Sequence, residues 1–332
     1  MKIVAITPDR KFDAVAAVII EGLYSNGIEV IASDPGNGVV KTYSEQDVVL
    51  HSKDADFIFV LWGKVKGNRS PRYHLLDRIN RPEITAYIDG SEWTCSGYPE
   101  TNELVSASWM GGKKINRHIY ESKLDSSRCK GQPWVNERMF KYCNWYFKRE
   151  CYQEDKDRGI IPLNVGCSEK YFGNFGKIKK DIDIFCSFGH LMTGLRYETQ
   201  NMCETLRAEG YNVKIVNNMP YKEYKKTMAR SLIGISAWGA GNSCMRMWEI
   251  MANRSCCFTQ RAEIEFPNRP VDGVHCVEYS NIEEFENKIR HYLKEREKCI
   301  IIGNNGYDHV KNFHIGHAKV KYMIDIMSKG FK

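Results

Sequence analysis

The 12 cysteines of this chain contain no C-x-x-C pair. That excludes the paired spacings of a zinc finger or a dithiol redox motif. Scattered cysteines such as Cys186, Cys276 and the adjacent Cys256-Cys257 suit a reducing compartment, where they act as small buried hydrophobes. No apolar run approaches the roughly 18 residues needed to cross a bilayer. The first segment, MKIVAITPDRKFD, carries one lysine ahead of an apolar run too short for a secretory leader, and charges follow it. It reads as a first strand, and a cytoplasmic setting is the expectation. Repeats and low-complexity tracts are missing too. So is a G-x-G-x-x-G after the first strand, where Thr7-Pro8-Asp9-Arg10 stands instead. That weakens a dehydrogenase reading.

What is present is an ordinary globular composition, with 42% hydrophobic and 27% charged residues. A chain of 332 residues suggests two domains. Net charge is +7. Basic residues gather between Lys64 and His74 and again at Lys113, Lys114 and Arg117. Such runs fit a nucleic-acid backbone, a phosphorylated acceptor or a plainly solvated loop.

Apolar runs of strand length alternate with helical spacing along most of the chain. Residues 2–7, 29–32, 56–62 and 84–88 read as strands, with a helix over 14–23 stopped by Asn26-Gly27. Tyr142 to Lys148 reads as a further strand, with an aromatic helix as the alternative. Residues 160–175 are irregular, with Pro162 and Gly166, and suggest a linker. The rhythm then restarts. Strands are expected at 182–187, 212–216 and 274–279, and helices at 196–209, 221–229, 282–296 and 318–327. Continuous apolar strands of this kind build parallel sheets covered on both faces. The expected division is 1–160, a linker at 161–178, a second domain at 179–312 and a closing helix at 313–332.

The most informative stretch runs from Leu232 to Gln260. It reads as strand, Gly-bearing loop, helix, strand. Glycines Gly239 and Gly241 let a backbone approach a ligand closely. The helix behind the loop offers free N–H groups and a positive dipole end to an anion. Asn242 and Ser243 belong to the same loop. Arg246 and Glu249 are three apart and share a helix face. A cation for a diphosphate and a carboxylate for a ribose diol are what a nucleotide-sugar site requires. An Arg suits the diphosphate because its planar fork bonds two oxygens.

The residues Met245 to Ala252, the segment Ile161 to Phe172 and the tail from Tyr292 through Asn305-Gly306-Tyr307 to His314 resemble the GT-B glycosyltransferases. The likeness is closest to the spore-maturation-type and group 1 families. It implies two Rossmann-like domains facing across a cleft, a nucleotide-sugar donor held mainly by the second, and a C-terminal helix returning toward the first. The donor is a co-substrate, most simply a UDP-sugar. No cofactor and no metal are expected. Glu249 matches the family carboxylate that holds the donor ribose. The group 1 pattern of Glu, seven residues, Glu places Gly241 where the sugar-facing Glu stands, so the chain departs from the family there.

A more distant resemblance is to phage DNA beta-glucosyltransferase. It pairs Ser187 and Arg196 loosely with that enzyme's Ser-rich turn and the arginine after the first strand of its second domain, and Asp89 with its catalytic base. Glu92 is a second candidate base, and His190 a candidate phosphate or sugar contact. Asp89-Gly90 is also a turn signal. Transfer needs a stabilised leaving group, an activated acceptor hydroxyl and exclusion of water.

Three functions follow. The first is transfer to a surface glycan, glycoprotein or other hydroxyl acceptor. The second is transfer to a DNA base, and the third is nucleotide-sugar binding without turnover. Two motifs are set aside. Asp181-Ile182-Asp183 spells a metal-binding D-x-D but opens a strand, the wrong end for a ligand. His314-Ile315-Gly316-His317 spells a synthetase signature but sits at the start of the last helix.

Overall fold

The computed structural model describes residues 1–7, 12–62, 72–90, 135–173, 178–188, 194–238 and 242–330. The chain forms two compact units. Unit one comprises Met1–Val165, Ile264–Pro267 and Lys319–Lys332, and unit two Gly166–Glu263 and Asn268–Ala318. The break between Val165 and Gly166 lies in the segment that carries Pro162 and Gly166.

Unit one runs β1 (Lys2–Ile6), α1 (Ala14–Ser25), β2 (Glu29–Ala32), α2 (Glu45–His51), β3 (Phe57–Trp62), α3 (Tyr73–Ile79), β4 (Thr85–Asp89), α4 (Glu137–Tyr142), β5 (Trp145–Lys148), α5 (Gln153–Asp157) and β6 (Ile161–Pro162). Helix α1 starts where the Asp13 side chain accepts from Ala16 N at 2.8 Å. It stops where Gly27 turns the chain at φ +69°. The strands are all parallel, in the order β2-β1-β3-β4-β5-β6. Both faces of β1, β3 and β4 are buried, which is why they read as unbroken apolar runs.

The strand expected over Tyr142–Lys148 is shorter than its apolar run. The Asn136 side chain accepts from Met139 N at 3.1 Å and so starts a helix, which Tyr142 closes. Only Trp145–Lys148 pairs in the sheet.

Unit two runs β7 (Ile182–Cys186), α6 (Gly194–Ala208), β8 (Val213–Ile215), α7 (Tyr221–Arg230), β9 (Ser231–Ser236), α8 (Met245–Ala252), β10 (Cys256–Gln260), β11 (Val277–Tyr279), α9 (Ile282–Lys294) and α10 (Arg296–Phe313). Its strands are also parallel, in the order β11-β10-β9-β7-β8. The strand expected from Val274 begins only at Val277. His275 N bonds Val271 O at 2.9 Å, and Gly273 at φ +72° makes a turn there. Helix α11 (Gly316–Ser328) follows α10, and from Lys319 onward it belongs to unit one. The His314–His317 motif is the join between these two helices, with His314 as the C-cap of α10.

Two packing features fix α8. A Cβ at Gly234 of β9 would lie 2.7 Å from Ile250 Cγ2, so only glycine lets the helix pack this close. On the same helix Trp248 is fully buried and its ring lies 4.3 Å from that of His314.

Candidate functional site

The strand order of unit two contains a switch point. From β7 the chain crosses to β8 on one side, and from β9 to β10 on the other, while β7 and β9 pair directly. In open parallel sheets a crevice forms there, at the carboxyl ends of the strands, and ligands occupy it. The residues that leave β7 and β9 at this point are Ser187-Phe188 and Ala237-Trp238. The helices that follow, α6 and α8, carry Arg196 and Arg246.

The two arginines meet on one ring. The Arg196 guanidinium lies 5.0 Å from the Phe188 centroid and that of Arg246 5.4 Å. Phe188 is itself buried, so both cations sit in a partly desolvated place where a ring face gives some compensation. Arg196 also donates from Nη2 to Ala237 O at 3.0 Å, which ties α6 to the end of β9. Burial lowers the Arg196 pKa, opposed in part by Cys244, and the Arg246 charge adds a smaller lowering. Burial works against the Arg246 charge as well, but Cys244, Tyr224 and Glu249 outweigh it and the pKa is raised. The buried Arg246 Nε has no hydrogen-bond partner among the described residues. The N-cap of α8, Cys244, makes no side-chain cap bond, so the first turn of α8 still presents main-chain donors. Two neighbouring cations beside an open helix N-terminus form a seat for an anion.

One turn further along α8 stands Glu249. Tyr224 of α7 donates its hydroxyl to Glu249 Oε2 at 2.7 Å, and Tyr171 also bonds the carboxylate. Burial raises the Glu249 pKa above its ordinary value, opposed by the Tyr224 bond and then by the Arg246 charge. Asn253, at the end of α8, bonds Glu249 O at 2.8 Å and Tyr171 O at 3.1 Å, so helix end and tyrosine are held together.

Other expected residues fall differently. Ser187 and Ser243 are buried beside the site. The Asn242 side chain accepts from Glu263 N at 3.0 Å and so holds the stretch after β10. Gly239, Gly241, His190 and Glu92 lie outside the described residues. In unit one, Asp89 is the last residue of β4. It is 1% exposed, and its Oδ2 accepts from Tyr146 OH at 2.8 Å. The basic run is described only from Arg72 onward, and there it faces acids. Arg72 pairs with Asp34 and Glu45, and His74 lies 3.1 Å from Glu45. Lys64 to Arg69, Lys113, Lys114 and Arg117 lie outside the described residues. The D-x-D carboxylates each meet an arginine. Asp181 accepts from Arg230 Nε at 2.8 Å, and Asp183 pairs with Arg296.

Sequence reasoning overlooked Tyr224, Tyr171 and the role of Phe188. The only signal for Tyr224 was an aromatic among lysines on α7, and its partner lies 25 residues away on another helix.

The class this architecture defines is the GT-B fold, two parallel α/β Rossmann-like domains in one chain. The chain is similar over its whole length to Anabaena HepE, solved in complex with UDP and glucose. That match has 11% identity, covers 99% of this chain and 100% of the other, and has a TM-score of 0.58. An alpha-glucosyltransferase solved with UDP-glucose and DNA containing an abasic site matches with 10% identity, 99% coverage of both chains and a TM-score of 0.60. A glycosyltransferase from Rickettsia africae matches with 10% identity, 99% and 98% coverage and a TM-score of 0.52. These likenesses show the fold. The glycosyl transferase-like family matches residues 176–325, which take in all of β7 to α10. Fold and family match together support a GT-B glycosyltransferase. No curated protein matches the sequence. Among the described residues no helix is long and apolar enough to cross a membrane.

Proposed function

We propose that this protein transfers a sugar from a UDP-sugar to a hydroxyl acceptor, and that unit two holds the donor. The observation that carries this reading is the pair of neighbouring arginines at the switch point, with Glu249 one helical turn beyond Arg246. The donor diphosphate lies against Arg196, Arg246 and the first turn of α8, and Glu249 accepts from the ribose hydroxyls. As the bond from sugar to diphosphate breaks, negative charge grows on the leaving phosphate. Arg196 and Arg246 already stand there, so no reorganisation is needed to stabilise it. Ser187 and Ser243 border the same anion, and roles for Gly239, Gly241, Asn242 and His190 there rest on the sequence pattern. Asp89 takes the acceptor proton, with Tyr146 holding its carboxylate in place, and Glu92 is the alternative base. The nucleotide is UDP by analogy with what HepE and the alpha-glucosyltransferase were solved with.

The acceptor is a hydroxyl of a surface glycan, glycoprotein or small molecule. Against a DNA acceptor stands the pairing of Arg72 with Asp34 and Glu45, which takes one cation out of the basic run. Duplex binding whose affinity falls steeply with salt reverses this preference. Any measured sugar turnover disposes of a purely binding role. The test of the donor site is UDP titration by calorimetry. Wild type binds and Glu249→Ala loses most of that affinity. Equal affinity in the two proteins refutes the placement.

A further inference from the structure

The Tyr224 hydroxyl lies beside both halves of the proposed donor site. It donates to Glu249 Oε2 at 2.7 Å. Arg246 lies near enough that its charge opposes the burial-driven rise of the Tyr224 pKa. A tyrosine hydroxyl has one proton to give and an ionised carboxylate can only receive, so the bond runs from Tyr224 to Glu249. The ring that carries this hydroxyl is half-buried and packs against Phe185 of β7, with centroids 5.6 Å apart. The hydroxyl is thus braced by a residue of the sheet and not by α8.

We infer that Tyr224 is a positioning residue that sets diphosphate and ribose recognition in register. It holds Glu249 by one oxygen, leaves the rest of the carboxylate oriented toward the diol, and stands beside Arg246 at the diphosphate. Specificity for a ribonucleotide over its deoxy analogues then depends on α7 and not on α8 alone. Tyr171 is the second hydroxyl on Glu249. It is braced by Tyr221 at 5.4 Å between centroids and by Asn253 at its carbonyl.

This inference rests on the donor placement proposed above, and the test separates the two. Full-length protein is titrated with UDP, 2′-deoxy-UDP and 3′-deoxy-UDP across pH. Y224F keeps the ring and its packing and removes only the hydroxyl. Its UDP affinity is expected to fall about tenfold, the scale of one hydrogen bond to a charged group. Its preference for UDP over the deoxy analogues is expected to shrink. A third readout is the acid limb of UDP binding. Glu249 must be ionised to accept from the diol, and the Tyr224 bond favours the ionised form. Removing it raises the Glu249 pKa further, so binding is lost at higher pH than in wild type. Y171F moves the same two readouts in the same direction by less, and serves if Y224F does not fold. In an E249Q background the effect of Y224F on the deoxy preference disappears, because it acts through the carboxylate. Wild type that binds no UDP overturns both readings. Wild type that binds UDP and discriminates against the deoxy forms, with unchanged preference and pH profile in both tyrosine variants, overturns this inference alone.

Discussion

The two units bury charge in different ways. At the end of β5 in unit one, Lys148 meets Asp155 at 2.6 Å with both side chains almost fully buried. Arg149 neighbours Glu150, and Arg72 bridges Asp34 and Glu45. Opposite charges meet there and their fields cancel locally. At the switch point of unit two, Arg196 meets a carbonyl and a ring, and Arg246 the same ring. Two cations stand side by side there, with the Glu249 carboxylate one helical turn from Arg246. The first arrangement holds a fold together, and the second is the one proposed to seat a ligand. Lys319 is the exception in unit one. Its amine bonds the Asn164 side chain, and burial, with the Arg149 charge adding, lowers its pKa to about 7.

Four changes test this contrast. Asp89→Asn is expected to cut kcat about 10²- to 10⁴-fold, the usual worth of a general base. UDP affinity should stay put, measured by initial rates alongside calorimetry. If affinity collapses with the rate, Asp89 is a structural residue of unit one. Asp155→Ala leaves Lys148 buried without its carboxylate and is expected to cost about 3–5 kcal/mol in chemical denaturation. Nucleotide affinity per folded molecule should be unaltered. Arg246→Met, by contrast, is expected to cost about 2–3 kcal/mol of UDP binding while leaving the denaturation midpoint near wild type or higher. A variant that loses stability but not affinity places Arg246 with the structural pairs.

Lys319→Met is read as a slope against pH. Its folded pKa lies below its unfolded value, so the unfolded chain binds more protons between about pH 7 and 10.5. The lysine's penalty is therefore full below that window and fades as pH rises through it. Wild-type stability should climb relative to the variant by up to about 1.4 kcal/mol per pH unit. Parallel pH profiles would show the amine to be charged in the fold throughout.

The sequence carries these two kinds of charge unequally. Arg246 and Glu249 were legible because both lie on one short helix, where a spacing of three puts them on one face. The parallel sheets were legible because β1, β3, β4 and β9 are buried on both faces and so read as largely apolar runs. Tyr224 and Phe188 were not, since a bond between separate helices or a ring under two arginines leaves no period along the chain. The end of α4 was missed for a local reason: Tyr142 continues the aromatic run of β5 although Asn136 has already committed it to a helix turn. The return of the last helix to unit one was legible only through the family resemblance, because α11 itself is one uninterrupted helix with no mark at Lys319.

That last feature bears on how the protein is made. Lys319 finds Asn164 across 155 residues of chain. Tyr322 likewise donates to Pro162 O at 3.2 Å across 160. During synthesis all six strands of the first sheet emerge long before these partners exist. Throughout the translation of unit two, the buried Asn164 side chain and Pro162 carbonyl lack the side chains that will bond them. The first domain to be synthesised is thus the last to be completed, and a stop codon a few residues into α11 damages the amino-terminal half of the protein.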